Sequence, residues 1–121
     1  MKLQAFPQHL TICQAEDLSG VDLTQELFFL GRTDEELSLV CPTDAVPERT
    51  LRRDDGWRAF RICGVLDFSL IGILAPIASL MADNGIGIFA VSTYNTDYVL
   101  VRQEHFERAL ALLSAAGYDI A

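Results

Sequence analysis

The stretch that decides the fold is Phe89-Ala90-Val91-Ser92-Thr93-Tyr94-Asn95-Thr96-Asp97-Tyr98-Val99-Leu100-Val101. Two runs rich in Val, Phe, Thr and Tyr flank the polar tetrad Tyr94–Asp97. Asn and Asp side chains bond their own backbone and tolerate left-handed φ, so the tetrad predicts a tight turn. The flanks suit a pleated surface. A β-hairpin follows, with Ile86–Thr93 paired to Asp97–Arg102. The hairpin carries no acid–base pair, no thiol and no cluster of metal ligands.

Helical patterns lie on both sides of it. Before it, Leu70, Ile73, Leu74, Ile77, Leu80 and Met81 recur at three- and four-residue spacing, which predicts a helix over Leu70–Met81. Asp67 or Ser69 would be its N-cap. Pro76 falls inside and predicts a kink, because proline deletes a backbone donor and strains the preceding turn. Asn84-Gly85 is a C-terminal stop signal. After the hairpin, Phe106, Ala109, Leu110 and Leu113 line one face of a helix over Gln103–Ala116 that stops at Gly117. Tyr118–Ile120 reads as a short last strand. Trp57–Val65 carries apolar residues on both faces, as a central strand covered on both sides does. From Trp57 the order is βαββαβ, which predicts a four-stranded antiparallel sheet with two helices on one face.

The first half is different. His9–Ala15 reads as the first strand, Leu27–Gly31 as a short one and Glu36–Cys41 as its hairpin partner. Glu16–Glu26 is an acidic loop broken by Gly20. Pro42 to Pro47 interrupts the pattern. Arg52-Arg53-Asp54-Asp55 before Gly56 reads as a solvated turn, and as the one place for a salt-bridged contact with a partner. The fold class is therefore α+β, with a ferredoxin-like unit over residues 56–121 and a β-rich half over residues 1–55 packed on it.

Length and charge narrow the function. The chain has 121 residues, half of them hydrophobic, with a mean hydropathy of +0.25. A chain of this size buries roughly two thirds of its unfolded surface, enough for a core without staples. Net charge is −8. Residues 1–55 hold 5 Lys/Arg against 11 Asp/Glu, and residues 56–121 hold 4 against 6. An acidic chain repels phosphate backbones and anionic lipid, which argues against nucleic-acid and membrane partners. Cys13, Cys41 and Cys63 are widely spaced inside apolar runs, as reduced core residues of a cytoplasmic protein would be. Met1–Gln8 lacks the apolar segment of a signal peptide. Leu70–Met81 is too short to span a bilayer.

Catalysis finds little support. His9 and His105, the two histidines, lie in different elements without ligand spacing, so neither a metal site nor a histidine-based dyad is expected. Gly85-Ile86-Gly87 is not a phosphate loop. No catalytic residue, metal or cofactor is expected. The junction Gly64–Gly72 is more informative. A strand runs into a helix there, and unpaired amides at a helix start attract a carboxylate. Asp67 beside them could hold an ammonium group, so an α-amino acid would fit. On these residues alone the plainer reading is that Asp67 simply caps the helix.

The segments Val65-Leu66-Asp67-Phe68-Ser69-Leu70-Ile71-Gly72, Gly85-Ile86-Gly87-Ile88-Phe89 and Ser92–Val101 resemble the ACT domain. More narrowly they resemble small bacterial ACT-domain proteins related to the ACT modules of aspartate kinase and of cytosolic arginine sensors. The resemblance covers Trp57–Ile120. Over residues 1–55 it implies a degenerate ACT-like half lacking its first helix. It implies regulatory binding of a free amino acid or similar small molecule, without enzymatic activity. Carried over by position, it points to Val65, Leu66, Asp67, Phe68, Ser69, Ile71 and Gly72. From the strand after the helix it points to Ile86, Gly87, Ile88 and Phe89. It also implies a homodimer. No catalytic domain accompanies the ACT unit, so its output would pass through an unidentified protein partner. The alternative is a dimerisation or docking module without a ligand, using the acidic segments Glu16–Glu26 and Thr33–Glu36.

Overall fold

The computed structural model describes residues 1–67 and 69–121. The elements are β1 (Lys2–Ala5), β2 (Leu10–Ala15), β3 (Phe29–Arg32), β4 (Leu37–Pro42), β5 (Thr50–Ile62), α1 (Leu74–Asp83), β6 (Phe89–Ser92), β7 (Asp97–Arg102), α2 (Gln103–Ala115) and β8 (Asp119–Ile120). They form two units, Gln8–Trp57 and Met1–Pro7 with Arg58–Ala121.

The second of these has the expected βαββαβ order, with one addition. Strands run β6-β7-β5-β1-β8. In a bare ferredoxin-like unit the first and last strands would pair. Here β1 lies between β5 and β8, antiparallel to the former (Leu3↔Ile62) and parallel to the latter (Leu3↔Ile120). The expected four-stranded sheet is thus five-stranded. Leu3 enters the core, where it joins Phe60, Ile77, Met81, Val101 and Phe106. Main-chain bonds bind the insert on both sides, from Cys63 N–H to the Lys2 carbonyl at 2.9 Å and from Ala121 N–H to the Leu3 carbonyl at 2.8 Å.

Helix α1 begins at Leu74, four residues later than expected, and Pro76 does not kink it. Pro76 is its third residue, where a backbone N–H has no intrahelical acceptor, so the missing donor costs nothing. Neither Asp67 nor Ser69 caps the helix. Its N-cap is Ile73, which offers no side-chain bond. At its other end Gly85 takes φ +70°. The Gly85 and Ile86 amides return to the Ala82 and Met81 carbonyls at 3.1 and 2.9 Å. This is a Schellman stop, and it needs an apolar residue after the glycine to pack on the last turn. Ile86 is that residue. Gly117 and Tyr118 end α2 in the same way.

In Gln8–Trp57 the order is β3-β4-β2-β5, with all neighbours antiparallel. Arg52–Asp55 is not a turn but part of β5. The register with β2 slips between Leu10↔Trp57 and Ile12↔Asp54, which inserts one extra β5 residue. Gly56 at φ +87° absorbs this bulge, so the strand continues through its charged run. Asp55 is held there by Arg53 at 2.9 Å and by the buried Thr11 hydroxyl at 2.7 Å.

Cys13 and Cys41 are buried free thiols that share a hydrogen bond, whereas Cys63, expected in the core, is only half-buried past the end of β5. Burial pushes the Cys41 thiol from its ordinary value near 9 to about 12. The folded chain therefore holds that proton more tightly than the unfolded chain. Stability from this source is intact below pH 9 and falls as pH rises from there toward 12. We expect Cys63 alone to react with a neutral thiol reagent at neutral pH in the native state, and all three thiols in denaturant. Native reaction of Cys13 or Cys41 at the Cys63 rate would contradict this packing.

Candidate functional site

The loop between β5 and α1 folds against the turn of the β6–β7 hairpin. The Leu66 amide donates to the Asn95 carbonyl at 2.7 Å. The turn is internally braced by Thr93 N–H to the Thr96 carbonyl at 2.9 Å. It is anchored below by the buried Thr96 hydroxyl, which donates to the Ile62 carbonyl at 2.6 Å. Between loop and turn lies a cavity of about 220 Å³. Leu66, Asp67, Leu70 and Ile73 form one side, and residues 92–97 form the other.

Asp67 is exposed at the mouth of this cavity. Its Oδ1 accepts the Ser69 amide at 2.8 Å, and its carbonyl accepts the Leu70 amide at 3.0 Å. The Ser69 bond holds the Asp67 carboxyl below the usual range, so it is ionised at neutral pH. Asp97 closes the hairpin end, and its Oδ1 accepts from the Ser92 hydroxyl. Asp67, Asp97, Thr93 and Asn95 thus line the space together with the apolar residues Leu66 and Ile73. Such a rim suits an ammonium group.

The residues singled out by sequence are distributed unevenly. Leu66 and Asp67 line the cavity. Val65 and Ile71 stand out in solvent, at 73% and 91% exposure. Ser69 is exposed and its amide is taken by Asp67. Gly72, at φ +74°, borders a different cavity of about 290 Å³ with Met1, Ile73 and Tyr118. Phe68 lies outside the described residues. Ile86 is in the core as the Schellman anchor of α1, Ile88 packs against that core, and Gly87 is exposed. Phe89 is half-buried at the start of β6. In this cavity the described wall opposite the loop is Ser92–Asp97. The hydroxyls and carboxylate of that turn were the available signal.

Among the described residues no three His, Cys, Asp or Glu side chains gather as a metal site, and no helix is long and apolar enough to cross a membrane.

A mixed sheet with two helices, in the order β5-α1-β6-β7-α2-β8, defines a ferredoxin-like α+β unit with a cavity at its first strand-to-helix loop. Residues 52–115 match the ACT domain, and the chain belongs to the ACT-domain family. It is similar to the crystal structure of protein Atu0741 from Agobacterium tumefaciens, with 34% identity over 99% of this chain and 91% of that one, at a TM-score of 0.87. The regulatory subunit of aspartate kinase from Thermus thermophilus shares the fold at 14% identity and a TM-score of 0.65, over 97% of each chain. So does a Vibrio cholerae protein described as a possible transport protein, at 19% identity and a TM-score of 0.73, over 94% of this chain and 88% of that one. No curated protein matches the sequence.

Proposed function

We propose that the chain is a non-enzymatic, cytoplasmic regulatory module that binds a free amino acid in the cavity between the β5–α1 loop and the hairpin turn. One observation carries the reading. An ionised carboxylate, Asp67, and the uncapped start of α1 at Ile73 border the same cavity. The ammonium group would pair with Asp67. The α-carboxylate would face the α1 amides, since those of Ser69 and Leu70 are already engaged. Side-chain selection would fall to Ser92, Thr93 and Asp97 on the opposite wall. Residues 1–55 would be the degenerate ACT-like half of the same module.

A second reading, a homodimerisation or docking module without ligand, is favoured by the exposure of the large apolar side chains Val65, Leu70, Ile71 and Tyr94.

A thermal-shift panel of the twenty amino acids separates the two. A true ligand at a hundred times its Kd adds about 2.7 kcal/mol of stability. That is a rise of several degrees for a domain of this size. Asp67→Asn should remove most of the rise. A flat panel from a folded protein would sink the amino-acid reading and leave the docking one.

A further inference from the structure

A second polar cavity borders the face of the sheet turned away from the core. Arg61 sits between core residues Phe60 and Ile62 in β5, so strand alternation directs it to the face away from them. Gln4 next to core residue Leu3, and Tyr98 next to core residue Val99, are directed likewise. The three side chains meet. Arg61 Nη2 donates to Gln4 Oε1 at 2.7 Å, and Nη1 donates to the Tyr98 hydroxyl at 3.2 Å. The guanidinium carbon lies 5.3 Å from the centre of the Phe6 ring, which stacks on Tyr98 at 6.0 Å.

Every one of these partners is neutral. Among the described residues no carboxylate pairs with Arg61. The chain has 17 acidic residues, yet the fold surrounds this half-buried cation with uncharged groups. Neutral partners replace hydrogen bonds lost from water, but they do not neutralise the charge. Beside the guanidinium is a cavity of about 200 Å³, bounded also by Cys63, Thr93, Asn95 and Tyr98. Its described lining has one charged group, and that group's planar fork matches a carboxylate.

We infer that the Arg61 cavity is a carboxylate site, taking a small mono- or dicarboxylate whose charged end pairs with the guanidinium. The rest of the ligand lies against Thr93 and Asn95. The cavity beside Asp67 shares Thr93, Asn95 and Thr96 but contains neither Arg61 nor Tyr98. The Asp67 cavity is proposed for a zwitterion and this one for an anion, and the inference does not rest on amino-acid binding.

The test uses the full chain with acetate, succinate and inorganic phosphate, each titrated at constant ionic strength. Two signals report. One is the NMR shift of the Arg61 Nε–H and Asn95 side-chain amide. The other is the rate at which a neutral reagent modifies Cys63. A carboxylate should shift both resonances saturably, and at ten times its Kd it should slow Cys63 modification about tenfold. Arg61→Gln should abolish the response and Arg61→Lys should weaken it, since the charge stays and the fork is lost. Cys63 protection is read in the unmutated chain, so it decides the matter even where Arg61→Gln fails to fold. Asp67→Asn should retain the response, which separates this outcome from the amino-acid panel. No saturable change with either carboxylate, or an equal response to phosphate, overturns the inference.

Discussion

A chain lacking Met1–Pro7 is expected to lose the cooperative fold of residues 58–121. The deletion removes Leu3, which is fully buried, and burying such a leucine is worth about 2–5 kcal/mol. It also removes the main-chain partners of Ala59, Cys63, Asp119 and Ala121. Each lost bond costs roughly 0.5–1.5 kcal/mol net, and more where a buried group stays unpaired. Together these losses approach the whole stability of a small domain, about 5–15 kcal/mol. The measurement is a thermal melt by circular dichroism, with NMR dispersion as a check. A truncated chain that melts within a few degrees of the intact one would refute the insertion of β1.

The second large effect is expected at Phe106. Its ring is buried in the core and also carries the Arg58 guanidinium at 4.2 Å from the ring centre. Phe106→Ala leaves a cavity and should cost about 3–5 kcal/mol. The stacked cation adds roughly 0.5–2 kcal/mol. The expected fall in Tm is on the order of 10–25 °C. Phe106→Leu keeps most of the apolar volume, so it should lose the cation contact and about 1.5 kcal/mol or less of packing. Equal melting of the two variants would mean that ring packing does not govern this core.

These predictions mark where sequence and structure part. Strand β7 and helix α2 are legible because their patterns are local. Asp97–Arg102 matches its expected bounds, and Phe106, Ala109 and Leu113 repeat at helical spacing into the core. Strand β1 is not legible. Four residues with a single fully buried side chain carry no usable period, and only distant partners make them a strand. The charged run of β5 resembles a turn because a bulge at Gly56 is invisible to alternation. Pro76 looks like a kink until the true start of α1 puts it in the first turn.

The site shows the same division. Asp67 and Leu66 follow from the strand-to-helix loop and from the family resemblance, and they line the cavity. Ile86 also matches the family position, but the helix stop before it consumes its side chain. The hairpin turn is recognisable by its own chemistry. That it faces Asp67 depends on the Leu66–Asn95 bond, a contact between segments almost thirty residues apart.

The pairing of β1 with β8 also fixes an order of events during synthesis. Leu3 leaves the ribosome long before its parallel neighbour Ile120. Until β8 emerges the nascent chain carries β1 with the edge facing β8 unpaired. All of Gln8–Trp57 has emerged long before. The unit that contains β1 therefore cannot complete until after Gln8–Trp57 has been made. Strand β1 must wait for β8 to arrive.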